Sequence, residues 1–73
     1  MSDEAGSCYR KALDLLARRA HFRAELRQKL ERRDFSAAAV DEALGRLAEE
    51  GHLDDPATAR AFVEERLRRG PEG

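Results

Sequence analysis

The chain has 73 residues, enough for one small domain. Charged residues make up 40% and apolar residues 41% of the sequence, so the core needs nearly every large apolar side chain. This composition argues against a doubly wound sheet, a barrel, a large cofactor cavity and a membrane span, which needs about 18 consecutive apolar residues. The single cysteine cannot form an internal disulfide, and no His or Cys spacing indicates zinc or another cofactor. The short acidic start lacks an apolar stretch, so we expect a cytoplasmic location.

Positive and negative side chains are concentrated in different parts of the chain. Residues 10–33 hold nine Lys and Arg against three Asp and Glu, a net charge of +6. Residues 34–73 hold five against ten, a net charge of -5. The sequence therefore predicts a domain with one basic and one acidic side, although its overall net charge is only -1.

Apolar residues recur at helical spacing, and no stretch alternates with a period of two. The first helix is predicted to begin after Ser7 as the N-cap. Leu15 flanks its apolar stripe, which consists of Tyr9, Ala12, Leu13, Leu16 and Ala20. The second helix is predicted from about Phe22 to Arg33, where residues 34–36 interrupt the pattern.

Capping residues mark the third and fourth helices. Ser36 is predicted to cap the third helix, and Gly51 to provide the left-handed residue after its end, with Leu53 folding back onto it. The inward face of this helix is predicted to be Val40, Ala43, Leu44 and Leu47. An acid followed by Pro56 opens the fourth helix. Its predicted inner face is Ala59, Phe62, Val63 and Leu67, and residues 70–71 end it.

These elements predict an all-α fold, a compact bundle of about four short helices over residues 7–69. Residues 1–6 and 70–73 are expected to be disordered. The predicted core consists of Leu13, Leu16, Leu26, Leu30, Val40, Leu44, Leu47 and Phe62.

The basic stretch provides the candidate binding site, in which Arg23 and Arg27 lie one turn apart and point away from the apolar face of the second helix. Guanidinium groups suit phosphate or carboxylate oxygens, so this surface can dock on a DNA backbone or on an acidic protein patch. Alternatively it is a solvated face with ion pairs along the helices. The candidate residues are Arg18, Arg19, Arg23, Arg27 and Lys29.

The remaining polar residues give weaker indications. The third helix holds four acids against Arg46, so phosphates would repel it from a DNA groove. Acids of the third and fourth helices either solvate this side or contact a basic partner. The group Glu49, Glu50, His52, Asp54 and Asp55 can hold a divalent ion, but a helix end followed by a cap accounts for the same residues. All three Phe are expected in the core, which leaves no aromatic ring for base stacking.

Catalysis is not indicated. Cys8 lacks a His partner nearby in sequence, and the chain contains neither a phosphate-binding loop nor a nucleophile elbow. We therefore expect a binding protein rather than an enzyme.

A run of residues in fixed order resembles the first helical repeat of the RecX family. It comprises residues 12–13, 15–19, 23–30 and 35–36, Val40, Leu44, Leu47, Gly51, and residues 53–55 and 59–63. Family members consist of tandem three-helix repeats, each similar to a helix-turn-helix unit. Here one repeat is followed by a helix that looks like the opening helix of the next. The family tends to have Ser where this chain has Phe22, so a capping box with Glu25 is incomplete.

The resemblance implies a regulatory module for recombination and DNA repair. Such a module binds the RecA recombinase filament on single-stranded DNA, generally inhibits it, and carries out no chemistry of its own. Two alternatives stay open: a nonspecific DNA-binding module, and a helical adaptor whose last helix, residues 56–69, packs on a further repeat or on another copy of the chain.

Overall fold

The computed structural model describes residues 3–69, which form four helices and no strand. Helix α1 spans Glu4–Arg18, α2 Arg23–Glu31, α3 Ala37–Glu49 and α4 Asp55–Arg69. The all-α prediction is therefore confirmed. The disorder predicted for residues 1–2 and 70–73 concerns positions outside the described residues. Within residues 3–69, none of the helices combines the length and the apolar character that crossing a membrane requires.

The first three helices enclose the core, and α3 packs against both α1 and α2. Five of the predicted core residues are completely buried, namely Leu26, Leu30, Val40, Leu44 and Leu47. Leu13 and Leu16 are only partly buried, because a neighbouring stripe of α1 faces the core. That stripe consists of Cys8, Ala12 and Leu15. Small side chains at two of these positions allow α1 to lie close to α3.

Helix α1 begins at Glu4, earlier than the Ser7 cap predicted, and residues 4–6 lie in its first turn. The amide of Ser7 donates to the carbonyl of Asp3 (3.0 Å) and closes the first turn. The Glu4 carboxylate accepts from the amide (2.7 Å) and the hydroxyl (3.0 Å) of Ser36. This contact between residues far apart in sequence fixes the first turn of α1 against the start of α3.

The turn after α2 is tighter than predicted, and the helix ends at Glu31 instead of Arg33. The amides of Arg33 and Asp34 donate to carbonyls three residues back (both 3.1 Å), which closes the turn. Asp34 then takes a left-handed conformation with φ 67°, which Asp tolerates better than most residues and which stops further helix growth.

A carboxylate from α4 takes the place of the absent Ser cap at α2. Asp55 Oδ1 accepts a hydrogen bond from the amide of Arg23 (2.9 Å), the first residue of the helix. Phe22, at the N-cap position, makes no side-chain cap. The beginnings of α2 and α4 are thereby joined.

Both ends of α3 are as predicted. The Ser36 hydroxyl accepts from the amide of Ala39 (3.2 Å), which is the expected N-cap. At the other end Gly51 has φ 83°, and the amide of His52 donates to the carbonyl of Leu47 (2.9 Å). This is the Schellman arrangement, and Leu53 folds back to a buried position.

Helix α4 does not pack as predicted. Of its residues only Thr58 is buried, and Phe62 is half-buried. Ala59, Val63 and Leu67 are exposed because the core closes around α1–α3 and leaves no apolar surface for the later turns of α4. The longest dimension of the molecule is 50 Å, against 23 and 16 Å for the other two.

Candidate partner-binding surface

The five predicted site residues lie at the end of α1, in the C-cap residue Arg19 that follows it, and along α2. They do not form one free cationic face. Arg19 and Arg27 are engaged in ion pairs, Arg23 lies beside the start of α4, and Arg18 and Lys29 line a common depression.

Arg19 is held by Glu25 of α2. Both guanidinium Nη atoms reach the Glu25 carboxylate, one of them at 3.4 Å, and the guanidinium carbon lies 5.8 Å from the centre of the Phe62 ring. The hydrogen bond raises the pKa of Arg19 and lowers the pKa of Glu25. Because the pKa of Glu25 is lowered, the pair contributes to stability at neutral pH and is lost as the pH falls through that pKa.

Arg27 joins α2 to α3 through an ion pair with Asp41, with 2.6 Å between Nη2 and Oδ1. Arg23 is exposed, and within residues 3–69 its side chain makes no ion pair. Its backbone amide is the group bound by Asp55. Arg23 and Arg27 therefore lie one turn apart, as predicted, and of these two side chains Arg27 is the one held in an ion pair.

Arg18 and Lys29 line an open depression of about 490 Å³ between α1 and α2. Its other walls are Leu15, Arg32 and Arg33. Arg32 and Arg33 are exposed and have no ion pair within residues 3–69, although neither was among the predicted site residues. Both arginines count towards the net charge of +6 over residues 10–33, which is the sequence feature that could have indicated them.

A buried histidine that the sequence analysis missed holds Lys29 in place. His21 is 2% exposed, and its Nδ1 donates to the carbonyl of Arg19 (2.9 Å). Its Nε2 lies 2.9 Å from Lys29 Nζ, and in the tautomer that donates through Nδ1 it accepts a hydrogen bond from the ammonium group. The His21 carbonyl in turn accepts from the hydroxyl of Thr58 (3.3 Å), which ties this site to α4.

A second open depression, of about 450 Å³, lies on the other side of Arg33. Besides Arg33, it is lined by Ser7, Arg10, Lys11, Asp14 and Phe35. The Asp14 carboxylate lies 3.5 Å from the nitrogens of both Lys11 and Arg18, so one acid is shared between two cations.

The predicted acidic side is partly used within the molecule. Asp41 pairs with Arg27, and Glu50 accepts hydrogen bonds from the Tyr9 hydroxyl and from Arg46. The hydrogen bond from Tyr9 lowers the pKa of Glu50 and raises that of Tyr9. The guanidinium carbon of Arg46 also lies over the Tyr9 ring, 4.2 Å from its centre.

Within residues 3–69, no three His, Cys, Asp or Glu side chains come together as metal ligands would.

Phe22 is not a core residue, contrary to the prediction. It is 37% exposed and stacks on Phe62, with ring centres 5.5 Å apart and 13° between the ring planes. The prediction failed because the core is completed by aliphatic side chains of α1–α3, so the aromatic pair forms the contact between the start of α2 and α4.

Known proteins resemble this chain over most of its length. The sequence model of the RecX first three-helix domain matches residues 8–47. A regulatory protein RecX of Thermus thermophilus is 59% identical over 61 residues, which cover 82% of this chain and 42% of that protein. The regulatory protein RecX of Chlorobium phaeobacteroides is 48% identical over 62 residues, 85% of this chain and 41% of that protein.

A third relative extends the similarity through α4. The regulatory protein RecX of Ectopseudomonas mendocina is 46% identical over 70 residues, 96% of this chain and 47% of that protein. The chain thus spans less than half the length of these relatives. No solved structure matches it. The matched residues 8–47 run from the first buried position of α1 to the last buried position of α3. Because the family model covers more than half of the chain, the chain belongs to the RecX family.

Proposed function

We propose that this chain is a regulatory module that binds the RecA filament and inhibits its activity in recombination and repair. The supporting observation is the similarity of α1–α3 to the first three-helix domain of proteins named regulatory protein RecX. The module acts in the cytoplasm by occupying a filament surface, and it carries out no chemistry of its own. The contact surface is the basic side of α1 and α2, with Arg18, Arg19, Arg23, Arg27 and Lys29 as its proposed residues.

The ion pairs divide these five residues into two groups. Arg19 and Lys29 both bind Glu25, and Arg27 binds Asp41, so reversing the charge of any of them would set carboxylates against each other within the domain. Arg23 has no ion pair within residues 3–69, and the Arg18 side chain is 68% exposed, at 3.5 Å from Asp14. Arg18 and Arg23 are therefore the positions at which a partner contact can be tested without disturbing the fold.

Titration of the chain into RecA that hydrolyses ATP on single-stranded DNA tests the proposal. We expect a dose-dependent fall in ATP turnover. The double variant R18E/R23E should need about tenfold more protein for the same inhibition, which corresponds to about 1.4 kcal/mol in binding. The matched control is R60E/R66E, which reverses two exposed arginines of α4 and should inhibit like the unchanged chain.

Two results would contradict the proposal or its contact surface. An unchanged turnover up to tens of micromolar chain would show that this chain has the family fold without the RecA activity. Equal inhibition by R18E/R23E and R60E/R66E would remove the basic side of α1 and α2 from the contact. Circular dichroism of each variant checks that the helices are retained.

A second candidate function is self-association through α4. Ala59, Val63 and Leu67 form an exposed stripe at intervals of four residues, with Val63 57% and Leu67 76% exposed. The last turn of the helix is basic and holds Arg66, Arg68 and Arg69, whereas its first turn holds Asp55. In an antiparallel pair of α4 helices centred on Val63, the basic last turn of each copy lies towards the first turn of the other, so a second copy fits this face.

Sedimentation equilibrium from micromolar to near-millimolar chain measures this association. We expect the average mass of the unchanged chain to rise with concentration. In V63E/L67E this rise should disappear, because association would bury two carboxylates that are exposed to water in the monomer. A second variant tests the charge contribution: R66E/R68E should weaken the pair at low salt, because it sets carboxylates towards the acidic first turn of the other copy and leaves the apolar stripe intact. A concentration-independent monomer mass for the unchanged chain would refute this candidate.

A further inference from the structure

Helix α4 is attached to the domain through the short segment between α1 and α2. We call residues 19–23 the α1–α2 connector. Within residues 3–69, the hydrogen bonds and ring contacts that join α4 to the part of the domain before residue 54 end on this connector. On the side of α4 they come from Asp55, Thr58 and Phe62. Their spacing of three and four residues places these side chains on one face of the helix.

The α1–α2 connector is bound on its other side by α2. Arg19 binds Glu25 through both Nη atoms, and His21 Nε2 lies 2.9 Å from Lys29 Nζ. The Lys29 ammonium group also lies 3.8 Å from the Glu25 carboxylate, which links the two contacts. The connector therefore lies between α4 and α2, and it positions Arg19, Arg23 and Lys29 of the proposed contact surface.

The apolar core does not include α4. Its buried residues come from α1–α3 and from Leu53. Among the residues of α4 only Thr58 is buried, while Val63 and Leu67 are exposed. Undocking of α4 therefore exposes less apolar surface than opening of the core does. Because the free energy of opening rises with the apolar surface exposed, α4 can leave while α1–α3 stay folded.

We infer that α4 docks and undocks as a unit, and that the α1–α2 connector couples this step to the partner-binding surface. In the docked state Arg19 is held by the Phe62 ring, and the His21 carbonyl by the Thr58 hydroxyl. When α4 leaves, both of these contacts are lost, so the connector is held less firmly and its contacts with Lys29 and the rest of α2 weaken.

The coupling acts in both directions. By linkage, a ligand that fixes the connector against α2 favours the docked state of α4 to the same extent as docking favours that ligand. The docked helix is thus a regulatory element of the contact surface, although it does not itself hold any of the five proposed contact residues. This inference adds a regulation to the proposed function and rests on it for the identity of the partner.

Hydrogen–deuterium exchange of the whole chain at micromolar concentration, read by mass spectrometry of its peptides, tests whether α4 opens separately. An isolated helix of 15 residues is marginal in water, so the amides of α4 exchange once it undocks. We expect the protection of residues 55–62 to be about tenfold or more below that of the core residues of α3.

The variant V40A distinguishes separate opening from global unfolding. Val40 is completely buried in the core of α3, so V40A destabilises the docked and undocked states equally relative to the unfolded chain. It should speed exchange of the core amides by about tenfold. Exchange over residues 55–62 should change by less than about twofold, since sites without shared contacts behave independently. An equal acceleration of both regions would show one cooperative unit and overturn the inference.

The variant K29A tests the coupling. Within residues 3–69, Lys29 makes no hydrogen bond or ion pair with α4. If its contact with His21 is complete only while α4 is docked, K29A destabilises the docked state alone. Exchange over residues 55–62 should then rise about fivefold, the lower end of typical coupling between sites.

The matched control is K11A. Lys11 is similarly exposed and also pairs with an acid of its own helix, Asp14, but it makes no contact with the connector. K11A should change exchange over residues 55–62 by less than about twofold. Equal effects of K29A and K11A would show that the connector does not transmit the state of α4, and would overturn the coupling.

These measurements need no RecA, so they separate the inference from the proposed function. If V40A and K29A behave as expected but the unchanged chain leaves RecA turnover unchanged, the inference stands and the proposed function fails. If the chain inhibits RecA while K29A and K11A give equal exchange, the proposed function stands and the inference is overturned.

Where both hold, a substitution in α4 tests the regulation itself. Phe62 is not a proposed contact residue, yet F62A should need about fivefold more protein for the same inhibition of RecA, because it weakens docking. The control is R60A, at an exposed position of the same helix outside its docking face, which should inhibit like the unchanged chain. Equal inhibition by F62A and R60A would overturn the regulatory role of α4.

Discussion

Replacing Leu44 by Ala should destabilise the domain by about 3 kcal/mol, within the range of about 2–5 kcal/mol typical of such changes in a packed core. Leu44 is completely buried in α3, the helix that packs against both α1 and α2. Removing its side chain loses apolar burial and leaves a cavity in a closely packed core, which relaxes only partly around it. For a domain of this size, each kcal/mol lowers the melting temperature by about 4–8 °C.

Leu67 provides the matched control for this prediction. L67A deletes the same atoms at a helical position that is 76% exposed. We expect urea unfolding followed by circular dichroism to give a loss within about 0.5 kcal/mol for L67A, as for other exposed positions. Similar losses for L44A and L67A would contradict the assignment of the core to α1–α3.

Replacing His21 by Ala should cost about 2–4 kcal/mol, although histidine is a polar residue. The imidazole is 2% exposed and bridges the Arg19 carbonyl to the Lys29 ammonium group. Its loss removes both hydrogen bonds and leaves a carbonyl and a cation without these partners beside a cavity. The backbone carbonyl of His21 accepts from the Thr58 hydroxyl of α4, so movement of the backbone around the substitution would also weaken this contact.

The second histidine of the chain serves as the control. His52 lies exposed after the end of α3, so H52A should change the free energy of unfolding by less than about 0.5 kcal/mol. H21N, whose side-chain amide can still donate to the Arg19 carbonyl, should fall between H21A and the unchanged chain. A loss for H21A no larger than for H52A would show that the buried imidazole contributes nothing to stability.

The helices and most caps could be predicted because their causes are local. Val40, Leu44 and Leu47 repeat at helical spacing, and all three are buried in α3 as predicted. Ser36 and Gly51 act on backbone groups within a few residues of themselves. The start of α1 could not be predicted in the same way, because its first turn is held by the contact of Glu4 with Ser36.

The candidate site was predicted as a region but not residue by residue. The excess of positive charge over residues 10–33 located it on α1 and α2. Which cations are available to a partner depends on their neighbours across helices, and Arg27 is engaged by Asp41 of α3. His21 carried no sequence signal, since a single histidine beside a helix start is as compatible with a solvent position as with a buried one.

The sequence by itself determined the four helices, the main aliphatic core, the separation of charge and the resemblance to RecX proteins. Each depends on residue type and spacing, which need no knowledge of the partner helices. Only the tertiary structure decided that α4 leaves Val63 and Leu67 exposed, that Phe22 stacks on Phe62, and that Arg32 and Arg33 join the basic surface. The physical reason is that burial and ion pairing are set by contacts between segments, and helical periodicity shows which face of a helix is apolar without showing what covers it.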